Sequence, residues 1–258
     1  MEGTVKSGSR RQIDVVVNPK GGVAKTTTVR EMGVGLSKRG KSILLIDLDP
    51  TAVLSQTMGA DIVHLAGIGH ALNDENLAIG DVTQTVQYEG CSIDICAGGS
   101  LLTSVRNTLA TQPDGAFRLK ELLEDCPDAY DHVVIDTPGD LSSLTINALV
   151  AATQAIVPVL PEEESKVTLP GAIDGIRRVQ KHINPTLDIA GILICRYTTG
   201  GKNPLKYEAI IQAYASKIGE KVFETRIRQS QAEDPRKNLK SLGYKSFVDE
   251  YLQEEALS

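Results

Sequence analysis

Asn18-Pro19-Lys20-Gly21-Gly22-Val23-Ala24-Lys25-Thr26-Thr27 decides how this chain is read. It follows a short β-branched run, Ile13 to Val17, and precedes a segment with Val29, Met32, Gly33 and Leu36 at helical spacing, so it joins a strand to a helix. Glycines let consecutive backbone N–H groups close on phosphate oxygens, the new helix points its positive end at them, and a lysine at the turn neutralises charge. Thr26 is then placed to ligate Mg²⁺. The general phosphate-loop pattern asks for glycine at positions 19 and 24, where this chain has Pro19 and Ala24.

Working outward, Gly40-Lys41 ends the helix and Ser42 to Ile46 forms a second apolar strand that finishes in Asp47-Leu48-Asp49-Pro50. Residues 81 to 97 read as two short strands around Glu89-Gly90, and Phe117 to Leu123 as a short helix. The strand His132 to Ile135 ends in Asp136, followed by Thr137-Pro138-Gly139. Leu141, Leu144, Thr145 and Ala148 then share a helical face, and Ala155 to Leu160 is another strand. Leu169, Ile173, Ile176, Val179 and Ile183 mark the next helix, Leu187 to Ile194 the next strand, and Tyr207, Ile210, Ile211, Tyr214 and Ile218 an amphipathic helix after a basic, Gly-rich loop from Arg196 to Lys206. This alternation predicts an α/β fold, doubly wound around a mostly parallel sheet with helices on both faces. Ligands of such sheets sit at the carboxyl ends of the strands, where Asp47, Asp49 and Asp136 fall.

The loop fits KGGxxKT, and with it the chain resembles the ParA/MinD family of P-loop ATPases, whose deviant Walker A loop usually reads KGGVGKTT. The likeness runs from about residue 12 to residue 250, and Ala24 and Thr51 depart from the family pattern. The resemblance implies ATP and Mg²⁺ as cofactors, and nucleotide contacts from Lys20, Gly21, Gly22, Val23, Ala24, Lys25, Thr26 and Thr27. It further implies metal support from Thr26, Asp47 and Asp136, and catalytic roles for Lys20, Lys25 and Asp49. Asp49 would orient the attacking water, and Lys20 would reach the nucleotide of a partner subunit. Val222 to Arg228 and Ala232-Glu233-Asp234-Pro235 are similar to family segments that put an adenine-side wall near Pro235.

Arg226, Arg228, Arg236, Lys237 and Lys240 cluster late in the chain, with Lys245 beyond them, and Arg196, Lys202 and Lys206 form a second basic group. In partitioning members of the family comparable regions bind nonspecific duplex DNA once ATP has made a homodimer. The expected activity is therefore slow hydrolysis of ATP to ADP and phosphate, stimulated by a ParB-like centromere-binding or adaptor protein that triggers release from DNA. The rival readings are a MinD-like membrane-associated positioning ATPase and a metabolic enzyme on the same scaffold. Acidic residues in the tail (Asp249, Glu250, Glu254, Glu255) are poorly matched to anionic lipid and count against the first.

The 258 residues, 41% hydrophobic and 23% charged, describe an ordinary folded chain. The net charge of −6 excludes a wholesale basic coat but not a local DNA-binding patch. No apolar run approaches the roughly 20 residues that a spanning helix needs, so no membrane partner and a cytoplasmic, nucleoid-associated location are expected. Cys91, Cys96, Cys126 and Cys195 form no CxxC pair and read as core thiols. Residues 1–11, with Lys6, Arg10 and Arg11, read as a flexible basic tail before a single ATPase domain over 12–253.

Overall fold

The computed structural model describes residues 11–126, 129–197, 202–228 and 243–256. Eight strands form one sheet: β1 (Gln12–Val16), β2 (Ile43–Asp47), β3 (Thr83–Tyr88), β4 (Cys91–Cys96), β5 (His132–Asp136), β6 (Gln154–Val159), β7 (Asp188–Tyr197) and β8 (Val222–Arg228). Their order is β3-β4-β2-β5-β1-β6-β7-β8. The β3–β4 hairpin is antiparallel and the other neighbours are parallel. The predicted doubly wound α/β architecture is the one observed.

Nine α-helices lie among the described residues: α1 (Lys25–Ser37), α2 (Val53–Met58), α3 (Ile68–Asn73), α4 (Leu102–Thr111), α5 (Arg118–Glu124), α6 (Ser143–Ala151), α7 (Ser165–His182), α8 (Lys202–Ile218) and α9 (Tyr244–Glu255). The two-residue period of β1 assigns them to faces. Val15 and Val17 join a core with Leu102, Leu144, Ile173 and Ile211, whereas Val16 joins Val29, Met32, Phe223 and Phe247 on the other side. Strands with both faces covered read as continuous apolar runs; Ile43 to Asp47 is buried throughout. Burying each such Leu or Ile contributes about 1.5–3 kcal/mol. A methyl group on Gly33 of α1 would stand 2.7 Å from Leu45 Cδ2, so this glycine lets α1 lie directly on β2.

Three expectations change. Leu141 lies before α6 and is exposed, with its side chain against Gly175 of α7; helical spacing had carried the pattern past the true start at Ser143. The supposed loop from Arg196 to Lys206 is shorter, because β7 runs through Tyr197 and α8 begins at Lys202. Arg11 is no tail residue: its guanidinium donates to the carbonyls of Leu123 and Cys126, which anchors the chain just before β1. Lys6 and Arg10 lie outside the described residues. All four cysteines are buried free thiols.

Candidate functional site

The sheet order brings the carboxyl ends of β2, β5 and β1 side by side. In register, Asp47 of β2 is the partner of Asp136 of β5, and Asp136 is in turn the partner of Val16 of β1. Asp47 and Asp136, far apart in sequence, meet only because of this strand order, and the phosphate-loop candidate springs from β1 on the other side of β5.

The loop is shaped by two left-handed residues, Gly22 (φ 76) and Ala24 (φ 73), the latter at the N-cap of α1. Val23 turns inward and is buried, so it offers the site only its backbone. The Lys25 ammonium donates to the carbonyls of Asn18 at 3.0 Å and Lys20 at 2.9 Å, which folds its side chain back over the loop. Burial lowers its pKa, against the pull of Asp136, Asp49 and Asp140. Asn18 donates to the Pro158 carbonyl at 2.8 Å and accepts from the Lys20 amide, tying the loop to β6.

Ala24 occupies a conformation that disfavours any residue with a Cβ. We expect Ala24→Gly to stabilise the chain by about 1 kcal/mol, the left-handed penalty less the extra backbone entropy of glycine. Urea denaturation of the two proteins measures it; an unchanged or lower stability would show that the alanine methyl makes compensating contacts.

Asp47 is fully buried and held by Ser55, whose hydroxyl donates at 2.6 Å and whose amide donates at 3.0 Å. Burial pushes its pKa up to about 6, with the Ser55 bonds opposing. Asp49 accepts from the amide and hydroxyl of Thr51 at 2.8 and 2.7 Å, so the threonine at 51 braces it. Asp136 is different. It too is fully buried, yet neither carboxylate oxygen has a hydrogen-bond partner among the described residues. Burial raises its pKa well above the ordinary range and neighbouring Asp47 adds to the rise, while Thr26 and Lys25 oppose it. Orphaned buried oxygens at such a point are the signature of a missing cation or water, and an all-oxygen set of carboxylates and a threonine hydroxyl suits a hard divalent ion.

A cavity of about 270 Å³ opens above these groups. Gly21, Gly22, Ala24, Lys25, Thr26 and Thr27 of the loop line it, together with Asp49, Gly139 and Arg196. Gly139, in the segment Thr137-Pro138-Gly139, approaches the Gly21 amide closely; a Cβ there would stand 3.4 Å from it. Lys20 lies at the rim, where its ammonium bonds Glu162 and, at 2.7 Å, Glu164. Burial would lower its pKa, but the two carboxylates outweigh that and raise it. The arrangement can hold a polyphosphate with a divalent cation, and a water beside Asp49.

The basic candidates separate. Arg196 is exposed and lines this cavity. Arg226 is ion-paired with Glu208 at 2.6 Å and donates to the Glu224 carbonyl at 2.8 Å, so its charge is partly offset within the chain. Lys206 and Arg228 are exposed, and the Lys206 ammonium stands 5.5 Å from the Tyr207 ring centre. Lys202 opens α8. Pro235, Arg236, Lys237 and Lys240 lie outside the described residues. Ser55, Gly98, Glu162 and Glu164 were not foreseen, although a run of three glutamates just past a strand end, at the ligand edge of the sheet, was a usable signal.

A family model described as AAA domain matches residues 11–189. The chain is similar to the chromosome-partitioning ATPase Soj of Thermus thermophilus, at 33% identity over 210 residues, 81% of this chain and 78% of that protein. It is similar to the sporulation initiation inhibitor protein Soj of Bacillus subtilis, at 28% identity over 86% of this chain and 87% of that protein. Among solved structures, a cobyrinic acid a,c-diamide synthase from Mycobacterium smegmatis with bound ADP and magnesium superposes with a TM-score of 0.85, at 25% identity, covering 96% of each chain.

Proposed function

The chain belongs to the AAA domain family as a ParA/MinD-type ATPase, and from that premise we propose that it is a partitioning or cargo-positioning switch. In this reading residues 12–253 form one ATPase domain that binds ATP with Mg²⁺ and pairs with a second copy. The pair holds nonspecific duplex DNA and releases it when a ParB-like partner stimulates hydrolysis. The observation that carries the nucleotide half is the orphaned, buried Asp136 carboxylate beside Thr26 and Asp47 under the phosphate loop. The partitioning half is supported by likeness to chromosome-partitioning ATPases over most of the chain.

Thr26, Asp47 and Asp136 would hold the magnesium shell. When bound, the ion neutralises charge on the β- and γ-phosphates. Backbone N–H groups from Gly21 to Thr27 cradle the phosphates, and Lys25 sets a cation against them. Asp49 orients a water whose oxygen bonds to the γ-phosphorus as the β–γ bridging P–O bond breaks, giving ADP and phosphate. Lys20, engaged by Glu162 and Glu164 in the single chain, would exchange those carboxylates for the phosphates of a partner's nucleotide on pairing.

The MinD-like alternative needs an apolar helix face free for lipid. The apolar side chains of α9, Tyr244, Phe247, Val248 and Tyr251, are instead buried, with Phe247 edge-on to Phe223 at 5.0 Å. No described helix is long and apolar enough to cross a membrane. The metabolic alternative draws support from the fold shared with the diamide synthase.

Binding to a random-sequence duplex with ATP, ADP or no nucleotide, across a salt series, tests the proposal. We expect tight binding with ATP alone, with log K falling by about 0.9 per phosphate contact for each tenfold rise in salt. Binding that is absent or indifferent to nucleotide sinks the partitioning reading and favours the metabolic one.

A further inference from the structure

Arg196 combines three features that an ordinary surface arginine lacks. Its backbone is left-handed at φ 52, inside a strand, where a residue with a Cβ persists only if its surroundings enforce it. The pairing of β7 with β8 slips at this point, between Ile194 and Tyr197, so Arg196 sits on an irregularity of the kind that re-aims a side chain beside a functional site. Arg196 also lines the cavity that Gly21, Gly22, Lys25, Thr26 and Thr27 of the phosphate loop line.

The state of the neighbouring cations sharpens the point. Lys25 is bonded to two backbone carbonyls of its own loop, and Lys20 to Glu162 and Glu164. Arg196 makes no ion pair or hydrogen bond with any described residue. An exposed guanidinium beside an anion-binding loop, with no partner among the described residues, is matched to phosphate oxygens, which it can meet through two parallel N–H···O bonds.

We propose that Arg196 binds the phosphate chain of the nucleotide, and that the bulge in β7 exists to deliver it there. This rests on the ATP site described above and moves Arg196 from the DNA surface to that site. Its neighbours in the basic sequence run, Lys202 and Lys206, stay with α8.

The test is equilibrium titration of the full chain with a fluorescent ATP analogue, ADP and adenosine, comparing the parent with Arg196→Ala, Arg196→Gly and Arg196→Lys. Random-sequence DNA is titrated in parallel at saturating ATP. ATP affinity should fall about tenfold in the alanine and glycine variants, the scale of a charge-assisted hydrogen bond. ADP should lose less, adenosine nothing, and lysine should restore part of the loss. Glycine suits the left-handed backbone, so Arg196→Gly should melt no lower than the parent, which separates lost binding from lost folding. Unchanged ATP affinity in the folded glycine variant overturns the inference while leaving the ATP site intact. So does an equal loss for adenosine, which would mark a base contact, or a loss confined to DNA. A parent protein that binds no ATP overturns the underlying reading and this inference together.

Discussion

Alanine at Lys25 is expected to lower ATP turnover by about 10²–10³, the usual loss when one preorganised donor to developing charge is removed. Its ammonium is held in place before any ligand arrives, by bonds of 3.0 and 2.9 Å to the Asn18 and Lys20 carbonyls at the start of the loop. Little reorganisation is then needed at the moment of reaction. The same group is the counter-charge to Asp136, Asp49 and Asp140, so its removal leaves three carboxylates facing an incoming polyanion. Single-turnover hydrolysis and analogue binding measured on the same preparation would separate the two effects. Turnover equal to the parent's would mean that Lys25 only organises the loop.

Asp136→Asn should move activity and stability in opposite directions. Magnesium-dependent hydrolysis should be lost, because a neutral amide replaces the carboxylate proposed to support the ion. The metal-free protein should become more stable at neutral pH, because the amide carries no charge to desolvate and none for Asp47 to repel. The pH dependence carries a definite sign. Burial and Asp47 raise the folded-state pKa of Asp136 above its ordinary 3.8. The native state therefore binds more protons than the unfolded one between those two values, and wild-type stability falls as pH rises through that window. Asparagine does not titrate. The gap between the proteins should be widest above the folded-state pKa and close as pH falls toward 3.8. Urea denaturation without magnesium at several pH values tests this, and a gap that widens on acidification would exclude it.

How far the site was legible follows from what fixes each part. The phosphate loop and the acidic strand ends were readable because glycine, lysine and carboxylate at those places answer to local backbone geometry and to the chemistry of phosphate. The alternation of strand and helix gave the architecture for the same reason. Strand order is not local, and what depends on it was hidden. Lys20 meets Glu162 and Glu164 only because β1 and β6 are neighbours. Gly98 is required because a Cβ there would stand 2.8 Å from the Asp49 carbonyl oxygen, a contact made only when β4 lies beside β2. Arg226 counted as a basic residue in the sequence, and Glu208 on α8 partly offsets it. Arg196 belonged to the other basic group, and it lines the cavity from a slip in strand pairing.

The position of β1 between β5 and β6 also bears on how the protein is made. The phosphate loop is translated well before the strands that flank its parent strand, His132–Asp136 and Gln154–Val159. The Asp14 carboxylate of β1 waits longer still for the Tyr251 hydroxyl, which reaches it at 2.7 Å from α9. On the ribosome, the nucleotide loop therefore emerges well before the elements that support it, and the apolar β1 must be kept from wrong partners until β5 and β6 have followed.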